Sequence, residues 1–132
     1  MMDASPKQIH TVRILVVEDD SEMRDLLTDM LSDEGYEVTL AVDGSDATVK
    51  ISEQAFDLVI TDMRMPRKGG LELLPELKTA CPNTPVILIT VFGDWPTLIE
   101  AYDKGACDYI CKPFKMEDLK RAVKKALQGK GG

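Results

Sequence analysis

The chain has 132 residues, and its 23 acidic residues outnumber the 16 basic ones, which gives a formal net charge of −7. A chain of this length buries roughly two-thirds of its unfolded surface, so one domain with its own core is expected. The acidic balance excludes general nucleic-acid affinity, because phosphate backbones are held mainly by Lys and Arg. No apolar run approaches the ~20 residues of a membrane span, and the N-terminus lacks the order of a secretory signal. These features predict a cytoplasmic protein without a membrane partner.

The cysteines do not suggest a disulfide framework or a zinc site. Cys81, Cys107 and Cys111 are an odd number without CxxC spacing, and two of them fall in or beside a predicted buried strand. The single histidine, His10, lies far from them in a polar segment. We therefore expect reduced, structural cysteines and no zinc.

Strand and helix patterns alternate along the chain. The predicted strands are 13–17, 37–41, 58–61, 85–90 and 108–111. The predicted helices are 21–34 with Ser21 as N-cap, 45–55, a third carrying Leu71, Leu73, Leu74 and Leu77, a fourth over about 94–104, and 117–127. Pro75 predicts an irregular first turn in the third helix, because proline removes a backbone donor.

Five βα units predict an α/β fold, a flavodoxin-like doubly wound (βα)5 domain with a five-stranded parallel sheet in the order 2-1-3-4-5. Glu18 and Asp19 follow the first strand, Asp62 follows the third and Lys112 follows the fifth. The carboxyl ends of parallel strands meet at one edge, where open α/β sheets bind ligands. This order places the acidic groups of strands one and three side by side.

Four ordered motifs make the sequence resemble the receiver domain of two-component response regulators. They are LVVEDD at 15–20, TDMRMP at 61–66 with GLEL at 70–73, ITVFGD at 89–94, and GACDYICKPF at 105–114. The resemblance extends over about 13–127, which we predict to be the receiver domain. Residues 1–12 are then a flexible N-terminal segment, and 128–132 are a flexible tail or the start of a linker.

The resemblance implies a phosphoacceptor site. Asp62 would take a phosphoryl group from a sensor histidine kinase or a histidine phosphotransfer protein, as in a phosphorelay. The ligands implied for Mg²⁺ are Glu18, through water, Asp19 directly, Asp62, and the backbone carbonyl of Arg64. Mg²⁺ suits this set because it prefers oxygen ligands and keeps several waters. Lys112 would pair with a phosphoryl oxygen, or with Asp62 before transfer.

The resemblance also implies a switch and an output surface. The Thr90 hydroxyl would bind the phosphoryl group, and the Tyr109 ring would change rotamer with it. Output is expected from the surface formed by 97–104, 108–111 and 117–127, through a phosphorylation-dependent homodimer or partner docking, without direct nucleic-acid binding. The chain would be a signalling domain rather than an enzyme, one that promotes its own phosphoryl transfer and slow dephosphorylation. In the family the Lys112-Pro113 bond is cis.

Three departures from the family pattern lie next to Asp62. Arg64 and Phe92 are bulky residues two positions beyond Asp62 and Thr90, and we hypothesise that they restrict the attacking water and prolong the phosphorylated state. Gly69 stands where the family more often has an acidic residue, which predicts a looser loop.

Other readings of the same residues are open. A haloacid-dehalogenase-type phosphatase also forms an aspartyl phosphate, but its acid/base Asp would stand where this chain has Arg64. A flavodoxin would need a phosphate-binding loop after the first strand, and the acidic run 18–20 would repel phosphate. A further alternative is a receiver fragment excised from a longer transcription-activating regulator.

Overall fold

The computed structural model describes residues 10–91 and 93–131. Within them, five strands alternate with five helices, and the strands form one parallel sheet in the order β2-β1-β3-β4-β5. The strands are β1 Arg13–Val17, β2 Glu37–Ala41, β3 Leu58–Asp62, β4 Val86–Val91 and β5 Asp108–Lys112. The helices are α1 Ser21–Asp33, α2 Gly44–Glu53, α3 Gly70–Ala80, α4 Trp95–Asp103 and α5 Met116–Gly131. The predicted flavodoxin-like topology is confirmed.

The sheet is buried on both faces, as its nearly continuous apolar strands require. Alternate strand residues belong to two separate cores. One core joins Leu15, Val59 and Leu88 to residues of α3 and α4, including Leu77 and Leu98. The other core packs the opposite face against α1 and α5, and it contains Ile14, Ile60, Ile87, Leu27 and Val123. This double layer holds the carboxyl ends of the strands rigidly at one edge.

Several helix ends differ from the predictions. The N-cap of α1 is Asp20 and not Ser21, because the Asp20 side chain accepts a hydrogen bond from the Met23 backbone at 3.2 Å. The third helix begins at Gly70 and continues through Pro75, which therefore lies beyond its first turn. The helix α5 extends to Gly131 rather than ending at Leu127. Extending an existing helix costs little, since each further residue gains a backbone hydrogen bond.

The structure describes the two terminal segments only in part. Residues 1–9 and 132 lie outside the described residues, while 128–131 form the end of α5. The predicted flexible segment 1–12 and the tail or linker at 128–132 stay predictions. Next to the sheet, His10 Nε2 lies 2.9 Å from Asp57 Oδ2.

All three cysteines are free; Cys107 is exposed and the other two are half-buried. Among the described helices, none combines the length and apolar character that crossing a bilayer demands.

Candidate functional site

Three carboxylates converge at the carboxyl ends of β1 and β3. These strands are neighbours in register, with Val17 opposite Thr61, so the residues that follow lie side by side. Carboxylate oxygens of Glu18, Asp19 and Asp62 all lie within 4.8 Å of one another. Glu18 is fully buried, Asp62 is 9% exposed, and Asp19 is exposed. The sequence prediction that these groups meet is thus reproduced by the fold.

Lys112 brings a positive charge to this cluster from the end of β5. Its Nζ donates a hydrogen bond to Asp62 Oδ2 at 3.0 Å and lies 3.6 Å from Glu18 Oε1. Burial disfavours the charged ammonium, but the hydrogen bond and negative charge of Asp62 outweigh it and raise the pKa of Lys112. The peptide bond to Pro113 is cis, as the resemblance implied.

The buried Glu18 carboxylate is incompletely satisfied. Its Oε2 accepts a hydrogen bond from the Asp20 backbone at 3.1 Å, whereas its Oε1 has no hydrogen-bond partner among the described residues. Burial, partly opposed by the Asp20 hydrogen bond and reinforced by the charge of Asp62, raises the pKa of Glu18 to about 7. A buried acceptor without a donor, next to two other carboxylates, is an arrangement that a cation relieves.

The raised pKa of Glu18 predicts a pH-dependent stability in the metal-free protein. The folded pKa of about 7 exceeds the ordinary value of 4.5, so the folded state binds this proton more tightly than the unfolded chain. The stability that the proton contributes is complete below the unfolded pKa and is lost as the pH rises through the folded one. Between roughly pH 5 and 7.5, the wild type should lose about 2–3 kcal/mol relative to Glu18→Gln.

Urea unfolding in EDTA at several pH values measures this difference. The Glu18→Gln variant is the reference, because its amide neither gains nor loses a proton in this range. Stability profiles of Glu18→Gln and the wild type that stay parallel across this range would contradict the assignment.

Thr90 faces the same site from the end of β4. Its side chain is 4% exposed, and its hydroxyl donates a long 3.5 Å hydrogen bond to the Val91 carbonyl. A cavity of about 200 Å³ is lined by Asp62, Met63, Arg64, Thr90, Val91 and Lys112. A weakly bonded hydroxyl in the cavity that contains the carboxylate is free to bind an incoming oxygen. The hypothesis about Phe92 falls on a residue outside the described part of the chain and stays a prediction.

Tyr109 lies away from this cavity, against α4. Its ring makes edge-to-face contacts with Trp95 and Tyr102, each with a centroid distance of 6.2 Å. The structure therefore places the predicted switch tyrosine on β5, with its ring against α4. Its predicted rotamer change stays a prediction.

The loop after Asp62 is tightly packed rather than loosened. A Cβ on Gly69 would lie 2.7 Å from the Met63 carbonyl oxygen, and one on Gly70 would lie 2.7 Å from the Asp62 carbonyl oxygen. The Gly69 backbone also donates a hydrogen bond to Glu72 at 3.0 Å. Glycine allows this close approach of α3 to β3, so the expectation that Gly69 loosens the loop is not supported.

An ion pair that no sequence pattern predicts lies at the border of the site. The Arg64 side chain is directed to the start of α4, where its Nε donates to Asp94 Oδ2 at 2.8 Å and its Nη2 donates to Thr97 Oγ1 at 2.9 Å. Hydrogen bonding to Asp94 raises the pKa of Arg64, whose charge is permanent in any case. The only sequence signal is one basic and one acidic residue 30 positions apart.

Comparison with known proteins identifies the family. The model of the response regulator receiver domain matches residues 14–124. The chain belongs to the response regulator receiver domain family, whose members act in two-component signal transduction.

Individual relatives agree in sequence and in structure. The transcriptional regulatory protein ZraR of Klebsiella oxytoca is 40% identical over 116 residues, covering 88% of this chain and 26% of that protein. The receiver domain of NtrX from Brucella abortus has a TM-score of 0.83 and 39% identity, with 87% of this chain and 98% of that chain covered. A CheY-like receiver domain protein from Methanospirillum hungatei has a TM-score of 0.88 and 30% identity, with 92% and 98% covered. This chain spans about a quarter of the length of the ZraR relative.

Proposed function

We propose that this receiver domain accepts a phosphoryl group on Asp62 in a Mg²⁺-dependent reaction with a histidine kinase or a histidine phosphotransfer protein. The observation that carries the proposal is the 3.0 Å contact between Lys112 Nζ and Asp62 Oδ2 beside the carboxylates of Glu18 and Asp19. Membership of the family supports this class of donor.

Asp62 is the proposed nucleophile. One of its carboxylate oxygens attacks phosphorus while the bond from phosphorus to the donor nitrogen breaks, which leaves an aspartyl phosphate. Its two oxygens accept hydrogen bonds from Lys112 Nζ at 3.0 Å and from the Arg64 backbone N at 3.3 Å. These donors orient the carboxylate and favour the negative charge that spreads over the transferring group. After transfer, Lys112 and the Thr90 hydroxyl bind phosphoryl oxygens.

Glu18, Asp19, Asp62 and the backbone carbonyl of Arg64 are the groups proposed to hold Mg²⁺. They fit this ion because they offer only oxygen donors, the three carboxylates lie within 4.8 Å, and Glu18 Oε1 is buried without a hydrogen bond among the described residues. When bound, the ion neutralises charge on the transferring group. The Lys112 ammonium supplies the complementary charge from the carboxyl end of β5.

Thr90 and Tyr109 are proposed to transmit the modified state to the surface formed by α4, β5 and α5. The contacts of Tyr109 with Trp95 and Tyr102 join β5 to α4, where Ile99 is 64% exposed. An exposed apolar side chain on this face suits phosphorylation-dependent homodimerisation or docking of a partner. The domain acts as a signalling element that promotes its own phosphorylation and slow dephosphorylation, in the cytoplasm and without binding nucleic acid itself.

A second proposal is that this chain is a receiver domain excised from a longer transcription-activating regulator. It is supported by the name of the ZraR relative, a transcriptional regulatory protein, and by the 26% of its length that this chain covers. Sequencing the complete gene tests it: a longer open reading frame with a further domain supports it, and a stop codon directly after this segment contradicts it.

The direct test of the site is phosphorylation by acetyl phosphate, followed by intact-mass spectrometry with Mg²⁺ and with EDTA. We expect addition of one phosphoryl group with Mg²⁺ and almost none with EDTA, because the three carboxylates then repel the donor. Equal modification in EDTA contradicts the metal dependence. Absence of any modification contradicts the phosphoacceptor function.

A further inference from the structure

The side chain of Arg64 holds the N-terminus of α4. Besides the 2.8 Å bond from Nε to Asp94 Oδ2, its Nη2 donates to Asp94 Oδ1 at 3.4 Å and to Thr97 Oγ1 at 2.9 Å. Two parallel contacts between a guanidinium and a carboxylate form a directional, charge-assisted pair. The Arg64 side chain is 66% exposed, so it has room to move, whereas the Asp94 side chain is 17% exposed.

The Asp94 carboxylate does not cap the backbone of its own helix. Asp94 is the N-cap residue of α4, but among the described residues its side chain accepts no capping hydrogen bond from a backbone amide of that helix. Its hydrogen bond within α4 is with the Thr97 side chain. Asp20 and Asp43, at the same position of α1 and α2, each accept one from a backbone amide of the first turn, at 3.2 and 2.8 Å. The N-cap aspartates of α1 and α2 therefore bind the backbone of their own helices, whereas the Asp94 carboxylate of α4 binds the Arg64 guanidinium instead.

Arg64 also contacts the phosphoacceptor. Its backbone N donates to Asp62 Oδ1 at 3.3 Å, and the residue lines the cavity that contains Asp62, Thr90 and Lys112. A phosphoryl group brings about −1.5 to −2 charges and three acceptor oxygens into that cavity, which competes strongly with a single carboxylate for a guanidinium. The Arg64 guanidinium thus has two candidate partners. One is the Asp94 carboxylate, which is always present, and the other is the phosphoryl group, which modification of Asp62 creates.

We propose that Arg64 couples Asp62 to α4 by exchanging anions. In the unmodified protein the guanidinium binds Asp94. Phosphorylation draws it to the phosphoryl oxygens, which releases Asp94 to cap the first turn of α4 and lets that end of the helix move. This inference rests on the proposed function of Asp62 and adds a positioning residue that the Thr90 and Tyr109 pair does not contain.

Beryllofluoride, a phosphoryl analogue, tests the exchange with two readouts. Its affinity is measured by ¹⁹F NMR, and the position of α4 is followed by the fluorescence of Trp95, the one tryptophan of the chain. Asp94→Asn weakens the ion pair but keeps a good N-cap side chain, so it should bind beryllofluoride about two- to fivefold more tightly. Its fluorescence without the analogue should shift toward that of the beryllofluoride-bound wild type.

Arg64→Gln separates an exchange from a simple structural ion pair. Arg64→Gln also frees Asp94, but it removes the guanidinium that would bind the analogue. The affinity of Arg64→Gln for beryllofluoride should therefore be about two- to fivefold lower than that of Asp94→Asn. Glu37→Gln and Arg13→Gln remove the same charges from an exposed ion pair at the amino-terminal ends of β2 and β1, and they should leave both readouts unchanged. Equal affinity changes in Asp94→Asn and Arg64→Gln, or none in either, overturn the exchange. A wild type that binds no beryllofluoride overturns the proposed function itself, and the exchange with it.

Discussion

A chain carrying Asp62→Asn is expected to take up no phosphoryl group from acetyl phosphate. The substitution replaces the proposed nucleophile with an amide, which is a far weaker nucleophile than a carboxylate. The fold should persist, because the side chain keeps its size at the end of β3 and its oxygen can still accept the hydrogen bond from Lys112. Intact-mass spectrometry of samples matched for circular dichroism measures the loss.

The matched control is Asp20→Asn. It removes one negative charge from the same acidic run, but Asp20 caps α1 through the Met23 backbone, a role that asparagine fills equally well. This variant should remain phosphorylated. Modification of Asp62→Asn at the wild-type rate would show that another group accepts the phosphoryl.

Lys112→Ala is expected to slow phosphorylation by about 10²–10³-fold, the usual cost of removing one preorganised charge-stabilising donor. The ammonium lies 3.0 Å from Asp62 Oδ2 and 3.6 Å from Glu18 Oε1, so its removal also leaves two neighbouring carboxylates without their shared cation. Stopped-flow or quench measurements with acetyl phosphate at fixed Mg²⁺ give the rate.

A surface lysine serves as the control for this variant. Lys125 on α5 is exposed and lines a cavity with Pro85 and Asp108, at the end of the sheet opposite to Asp62, so Lys125→Ala should react at the wild-type rate. A rate for Lys112→Ala that matches Lys125→Ala would remove Lys112 from the phosphoryl-transfer step.

Parallel-sheet geometry made much of the site predictable. Residues at the ends of neighbouring parallel strands must lie side by side, so the positions of Glu18 and Asp62 follow once β1 and β3 are recognised and ordered. Lys112 belongs to a strand that is not adjacent to β3, and its contact with Asp62 depends on a long side chain that reaches across β4. The resemblance, rather than the strand pattern, assigned its partner.

Contacts between exposed loop side chains were not predictable. Arg64 and Asp94 are polar residues 30 positions apart, and their pairing depends on the paths of two loops that no periodicity describes. The N-cap residue of α1 was likewise not predictable from the sequence. Asp20 and Ser21 are equally good capping types, and only the backbone geometry decides between them.

The phosphoacceptor role of Asp62 is tested most sharply by locating the acyl phosphate in the chain. The chain is phosphorylated with acetyl phosphate and Mg²⁺ and then reduced with borohydride, which converts an aspartyl phosphate to homoserine, and the peptides are sequenced by mass spectrometry. We expect homoserine at position 62 and unmodified carboxylates at Glu18, Asp19 and Asp20. Homoserine at position 19 or 20 with none at position 62 would contradict it.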